Sequence, residues 1–383
     1  MATISGARNT GNILTDRLVV DMRDQIALLD PNEGPFVTFL KKAKADTRTV
    51  YNPKFEWLED DLIGVYTELA TQISSNSATS VVVDSAEDIR PGDVILVSTE
   101  QMIVTAVSSN TLTVIRETGG TALASIPVDS PVRVIGKAYE ENSTSPNVLS
   151  TKESVVYNYT QIFRTPIALS NTEDKAKLYG GKDRAYQRRK ALIEHKRDIA
   201  NALYFGKKAM DTTGDAPRRT MGGLLSFLTQ SQAFSEGGGG TPQLTYATFD
   251  EYVAQPAFRY GSKEKLLIAG PKLMTKINSW AIDDVLTDVS KDKTYGMRVK
   301  TLVTSYGDLQ VIYDPLLAES GHADYGMVID PENVRYCHLD GRDTKLRTNI
   351  QENDRDGIKD EYLTECSLEV RLPKTHMLLT GCY

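Results

Sequence analysis

The sequence predicts an α+β fold, on three observations. An extended run, Val155 to Leu169, leads into a long charged helix that begins at Asp183 and continues to about Lys207. A block from Ser75 to Gly136 is dense in Val, Ile, Thr and Ser, lacks aromatic residues and breaks into short strand-like runs. The C-terminal third then mixes further strand-like runs with short helical ones. With 383 residues, 40% hydrophobic and 25% charged, the chain has ample material for a core, which excludes disorder along its whole length.

The elements follow in order. Residues 1–12 are small and polar and read as a loose arm. Leu18–Leu29 is amphipathic and is ended by Asp30-Pro31. Pro35–Leu40 is a short apolar helix followed by Lys41, Lys42 and Lys44, which suit the negative end of the helix dipole. Thr47–Leu58 reads as one strand from its β-branched and aromatic content, and Pro53 makes it an edge strand. In the block that follows, strands are expected at Ser80–Val83, Val94–Val97, Met102–Val107, Thr111–Ile115 and Val132–Ile135. Pro91-Gly92-Asp93, Ser109-Asn110 and Gly119-Gly120 are the turns between them. Such spacing predicts a small β-barrel or sandwich, bounded by polar linkers at Thr71–Asn76 and Glu140–Asn147. Because it lies between two extended runs, the block reads as a module inserted at the tip of a hairpin.

The helix from Asp183 places Ala185, Leu192, Ile199 and Leu203 on one face, widened by Ile193 and Ala200. Arg184, Arg188, Arg189, Lys190, Lys196 and Arg197 cover most of the rest. Gly206–Pro217 reads as a loop, and Ser235–Pro242, with its four glycines, as a flexible linker. A helix at Tyr246–Phe258, a strand at Leu266–Ala269 and a helix opened by Pro271 come next. Val299–Thr304 and Leu309–Tyr313 form a hairpin; Tyr325–Ile329, Val334–His338, Tyr362–Leu372 and His376–Leu379 are the closing strands.

A search for chemistry finds no catalytic, cofactor or metal site. His195, His322, His338 and His376 are isolated in sequence and read as structural or surface residues. Cys337, Cys366 and Cys382 make no CxxC pair and read as buried, reduced thiols. Glu352–Glu361 contains a fragment of a calcium loop, Asp354-x-Asp356-Gly357, but Leu363 stands where the bidentate glutamate is required. Asn158-Tyr-Thr fits a glycosylation pattern that has no meaning without secretion, and Gly222-Gly223 reads as a turn. No secretory leader or membrane-spanning run is apparent, so no membrane partner is expected. The net charge of -7 argues against a dedicated nucleic-acid binder.

A long strand feeding a long amphipathic helix, the phrases Asn158-Tyr-Thr-Gln-Ile-Phe163 and Met221-Gly-Gly-Leu-Leu225, and a β-rich tail resemble tailed-bacteriophage major capsid proteins. The resemblance is to a subfamily of podoviruses with elongated heads. It implies a Hong Kong 97-type capsid fold, with the small β-barrel domain as an insertion. Carried onto this chain, it gives an N-terminal arm at 1–45 and extended-loop strands at 46–74 and 141–169, with the inserted domain at 75–140. The peripheral domain would be 170–242 and 325–383, with spine helix 183–207, and the axial domain 243–324. The implied function is self-assembly into pentamers and hexamers of an icosahedral or elongated head enclosing double-stranded DNA. Implied partners are neighbouring capsomers, a separate scaffolding protein, a portal protein and, weakly, the packaged DNA on the inner face. The implied location is the virion, with the host cytoplasm during assembly. Arg184, Arg188, Arg189, Lys196 and Arg197 are the candidate inter-subunit contacts, because the helix is more basic than a net-acidic chain needs. A tail or decoration protein is the first alternative, and a hydrolase or carbohydrate-binding protein the second. The absence of Trp, Tyr and Phe from Ser75–Gly136 counts against a sugar-stacking surface.

Overall fold

A computed structural model describes residues 47–120, 125–146, 148, 150–177, 182–236, 241–282, 287–288 and 300–383, with Phe36 and Leu40. The N-terminal segments before Pro35, the lysines after Leu40 and the Gly237–Gly240 run lie outside the described residues.

The chain opens with β1 (Arg48–Val50) and β2 (Lys54–Glu59), then β3 (Tyr66–Glu68), β4 (Ser80–Val82) and β5 (Asp93–Val97). β6 (Glu100–Ser108), β7 (Thr111–Ile115), β8 (Pro131–Lys137), β9 (Ser154–Tyr159) and β10 (Gln161–Ser170) follow. Next are α1 (Asn171–Lys175), α2 (Asp183–Phe205), β11 (Ala209–Asp211), β12 (Arg218–Thr220), α3 (Leu224–Phe227) and β13 (Ser231–Ala233). α4 (Tyr246–Phe249) runs on through a π-helical turn at Asp250–Ala254. β14 (Glu264–Ala269), α5 (Pro271–Ile282), β15 (Thr287–Asp288), β16 (Lys300–Val303), β17 (Asp308–Tyr313) and α6 (Leu316–Glu319) come after it. The chain closes with β18 (Gly326–Ile329), β19 (Val334–Leu339), β20 (Lys345–Arg347), β21 (Gly357–Val370) and β22 (Met377–Thr380).

Two compact units result, Leu58–Val156 and the remainder. Among the described residues, the larger holds two large sheets beside the short β11-β12 pair. In the five-stranded one the order is β1-β19-β21-β10, with β20 also on β21. β21 is its spine: fourteen residues long and buried along nearly its whole length, it needs the apolar and β-branched residues of Tyr362–Val370. The seven-stranded sheet runs β13-β22-β18-β14-β17-β16-β15. Its core gathers Phe249, Val253, Leu267, Leu273, Ile277, Leu309, Val311 and Val328 from strands and from the faces of α4 and α5. The smaller unit is a six-stranded sheet of order β3-β8-β5-β6-β7-β4. An isolated bridge between Leu69 and Val83 joins its two outer strands. Ala70 N–H also donates to Val82 O at 3.0 Å, so the sheet closes on itself and no long edge is left open.

Several expectations are corrected. Thr47–Leu58 is two strands, β1 and β2, broken at Tyr51–Pro53, because Pro53 cannot donate to a ladder. Val155–Leu169 is likewise two strands. β9 pairs with β2 in a two-stranded ribbon, whereas β10 pairs along its whole length with β21. Gln161–Leu169 therefore belongs to the five-stranded sheet and not to an extended-loop arm. Thr71–Asn76 is no linker: Ile73 is buried in the six-stranded unit, Leu69 beside it is fully buried, and β3 pairs with β8. That core starts ahead of residue 75. Gly206–Pro217 is not all loop, since Ala209–Asp211 pairs with Arg218–Thr220. The division at residues 242/243 and 324/325 also fails, because β13, β18 and β22 lie in one sheet with β14, β16 and β17. Finally, α2 buries Ala191, His195, Ile199, Ala200, Leu203 and Tyr204, while Ala185 is exposed. The helix turns a polar histidine inward because hydroxyls are waiting for it.

Candidate functional site

The region with the densest polar organisation is where β9, β10, α2 and the Gly222-Gly223 turn converge on β21. Asn158 is fully buried and uses its amide completely. Nδ2 donates to Gly222 O (3.0 Å) and Leu368 O (2.7 Å), and Oδ1 accepts from Gly222 N (2.8 Å) and Tyr159 N (2.8 Å). Next to it Gln161 Oε1 accepts from Met221 N (3.1 Å), Thr160 Oγ1 donates to Glu365 (2.8 Å), and Ser367 Oγ donates to Tyr159 O (2.7 Å). Gly223 lies directly on the C-terminal end of α2. Gly223 N–H donates to Gly206 O at 2.8 Å. A Cβ at Gly223 would stand 2.6 Å from Ala202 O and 2.7 Å from Gly206 N, so only glycine permits this approach of backbone to backbone.

Farther along, α2 is fastened to β10 and β21. His195 is buried between Thr165 Oγ1 on β10 (2.9 Å from Nδ1) and Thr364 Oγ1 on β21 (2.7 Å from Nε2). Ile167, Leu169, Ala191 and Tyr362 pack around this layer. At the N-terminal end, Arg184 forks onto both oxygens of Asp360 at 3.0 and 2.9 Å and also donates to Asn349 Oδ1 at 3.0 Å. Arg188 adds a bond to Asp360 Oδ2 at 2.9 Å, and Asn349 N–H adds one to Oδ1 at 3.0 Å. Burial opposes the Asp360 carboxylate, but the bonds from Arg184, Asn349 and Arg188 outweigh it and hold its pKa below the ordinary value. On the neighbouring residue, the Arg164 guanidinium lowers the pKa of Glu361 in the same way.

Of the basic residues singled out from sequence, Arg184 and Arg188 are thus brought together on Asp360 inside the subunit. Arg197 pairs with Glu319 at 2.6 Å, near α6, while Arg189 is exposed on another face. Lys196 is partly buried. His322 and Cys382 lie far along the chain from this junction. His376 and all three cysteines are buried. Among the described residues no group of three or more His, Cys, Asp or Glu is placed to hold a metal. Sequence reasoning passed over Asn158, Gly222, Gly223 and Asp360. The signal available was that Asn158 and Gly222 each sit in one of the two phrases that carry the family resemblance; the structure makes those phrases hydrogen-bond partners.

A model of the SU10 major capsid protein family matches residues 3–383, nearly the whole chain. The chain belongs to that family. It is a major capsid protein, a builder of the phage head shell, and its place is the virion. The major capsid protein of Pseudomonas phage PaMx41 is 25% identical over 292 residues, covering 73% of this chain and 69% of that one. In the capsid asymmetric unit of cyanophage A-1(L) the similar chain superposes with a TM-score of 0.57 at 10% identity, covering 96% of this chain and 98% of that one. The capsid of Myoviridae phage XM1 is similar at a TM-score of 0.49 and 11% identity, covering 97% and 100%. The fold is the Hong Kong 97 type. The junction just described is where α2, β10 and the long central strand β21 of the capsid protein are locked together.

Proposed function

We propose that this capsid protein self-assembles into the pentamers and hexamers of an icosahedral or elongated head enclosing double-stranded DNA. The observation that carries this reading is the Asn158 junction. It ties β9 and the Gly222-Gly223 turn to β21 and, with the His195 and Asp360 contacts that fasten α2 to β10 and β21, makes a stiff plate, while the chain beyond it leaves and returns on a two-stranded ribbon, β2 and β9. A stiff plate with a slender ribbon suits a subunit that must occupy pentamers and hexamers, because small angular changes are absorbed outside the core. The ribbon serves as the stalk of the extended loop. The Leu58–Val156 unit serves as an inserted domain on the outer surface, and the residues before 46 as the N-terminal arm. Leu62 and Val148, both more than nine-tenths exposed in that unit, supply apolar area for contacts within the shell.

Arg189, Lys196 and Arg197 are the basic residues of α2 proposed to bridge neighbouring subunits; Arg184 and Arg188 act within the subunit. Neighbouring capsomers, a separate scaffolding protein and a portal protein are the proposed partners. Packaged DNA is met only weakly, in keeping with the net charge of -7. Assembly takes place in the host cytoplasm. Negative-stain microscopy of the purified protein tests the reading. Shells, tubes or capsomer rings are expected; a compact monomer persisting under all assembly conditions would overturn it.

A further inference from the structure

The two sheets of the larger unit exchange chain through two short crossovers. Asp330–Asn333 carries β18 of the seven-stranded sheet into β19 of the five-stranded one, and Arg371–His376 carries β21 back into β22. The crossovers bond to each other directly, Arg371 N–H to Asn333 O at 2.8 Å. Both also converge on a buried polar cluster. Asp330 N–H donates to His376 Nδ1 at 3.0 Å, and His376 Nε2–H donates to Arg371 O at 3.0 Å. The Asp330 carboxylate accepts from Ser262 N (2.9 Å), Ser262 Oγ (3.0 Å), Glu332 N (3.1 Å) and Asn333 Nδ2 (3.2 Å). Lys265 of β14, its side chain fully buried, donates to Thr375 O at 2.6 Å and stands 3.9 Å from Asp330 Oδ2.

This network accepts only one form of the imidazole. With Nδ1 taking a backbone N–H and Nε2 giving its hydrogen to a carbonyl, the ring must be neutral. A proton on Nδ1 would point at the Asp330 N–H and put a second positive charge beside Lys265. Lys265 from β14 and Asp330 from the first crossover act on the ring's charge; the crossovers themselves also carry Glu332, Lys374 and, at the end of β21, Glu369 with Arg371. The last two are paired with each other at 2.5 Å. Burial first, and Lys265 with it, pushes His376 down to about 4, against the opposing pull of the Arg371 carbonyl and Asp330. The second crossover is also held under strain, since Leu372 is left-handed at φ 49° without being glycine.

We propose that Asp330, His376 and Lys265 form an acid-released latch, which locks the two crossovers at neutral pH and frees the two sheets to move against each other when His376 takes up a proton. The test is hydrogen–deuterium exchange of the full chain at about pH 7 and about pH 5, corrected for the intrinsic exchange rate. Amides of 330–334 and 371–376 are expected to lose protection about 20-fold at the lower pH, from a ring that titrates near 6.5 when open and near 4 when latched. β14 and the middle of β21 should keep theirs. His376→Asn keeps an acceptor near the Nδ1 position without a titratable ring, and should make crossover protection equal at both pH values. The latch is overturned if the wild-type crossovers are equally protected at both, if they open together with the strands, or if His376→Asn follows the wild-type dependence. Should that variant fail to fold, the wild-type profile decides alone. Lys265→Met then serves as the second variant: without the neighbouring positive charge the latched ring titrates closer to its open value, so the loss of protection between pH 7 and pH 5 is expected to be smaller than in wild type.

Discussion

Replacing Asn158 by alanine removes, at a single residue, the node that ties β9 and the Gly222-Gly223 turn to β21. Four hydrogen bonds disappear, at 2.7 to 3.0 Å. The Gly222 N–H, the Gly222 carbonyl and the Leu368 carbonyl then lose their buried partner. A buried backbone group left unpaired costs about 1–3 kcal/mol, and water entering the small cavity recovers part of that. Three such groups give an expected loss of about 4 kcal/mol, a large share of the stability of an ordinary domain. The two tryptophans make the measurement selective. Trp57 packs 6.0 Å from Phe227, just after the Gly222-Gly223 turn, and Trp280 sits in the seven-stranded core, so both belong to the larger unit. Urea unfolding followed by tryptophan fluorescence therefore reports that unit and is silent on Leu58–Val156. The midpoint should fall sharply, with particle formation lost at concentrations where wild type assembles. A loss below about 1 kcal/mol would refute the argument, since it is what an exposed asparagine would give.

Three further outcomes follow from the geometry. Arg188→Glu places a carboxylate against Asp360 and should destabilise the subunit itself, whereas Arg189→Glu should leave the thermal melt within about 0.5 kcal/mol of wild type and weaken assembly; normal particles from Arg189→Glu would reject its bridging role. Glu100→Ala removes the carboxylate partner of Arg116, whose guanidinium is almost wholly buried against it at 2.5 Å, so the six-stranded unit should lose about 3 kcal/mol, the bond from Arg116 to Ser75 O remaining. Limited proteolysis of the full chain should then cut within Leu58–Val156 first, and unchanged resistance there would contradict the assignment. His376 has a folded pKa below its unfolded one, so its contribution is complete above about 6.5 and is lost as pH falls toward about 4. The gap amounts to about 3 kcal/mol, visible as a falling urea midpoint in wild type and a flatter one in His376→Asn; parallel curves would exclude the histidine as the source.

The Leu58–Val156 unit also shows how the two levels of information divide. Its strands at Val94–Val97, Met102–Val107 and Thr111–Ile115 are legible from β-branched runs and turn residues, because hairpin partners are neighbours in sequence. Its start is not legible. Tyr66–Glu68 looks like a polar connection until Arg133–Pro131, more than sixty residues on, supplies its partner strand. Likewise Arg116, far from Ser75 in sequence, gives that serine carbonyl a buried donor.

By itself the sequence determined the α+β class, the long basic helix from Asp183, most strands and, through two short phrases, the capsid family. Periodicity, turn chemistry and composition are local properties, and a window of ten to twenty residues contains them. Only the tertiary structure decided which face of α2 is buried, because the stripe of Ala191, His195 and Ile199 is chosen by Thr165 and Thr364 on strands that approach from both ends of the chain. It decided that Arg184 and Arg188 belong to Asp360, since a surface charge and a paired one have the same sequence signature. It decided that Asn158, Gly222 and Leu368 form one node, across separations of 64 and 210 residues. Contacts of that range follow from closure of the fold, and no local pattern encodes them.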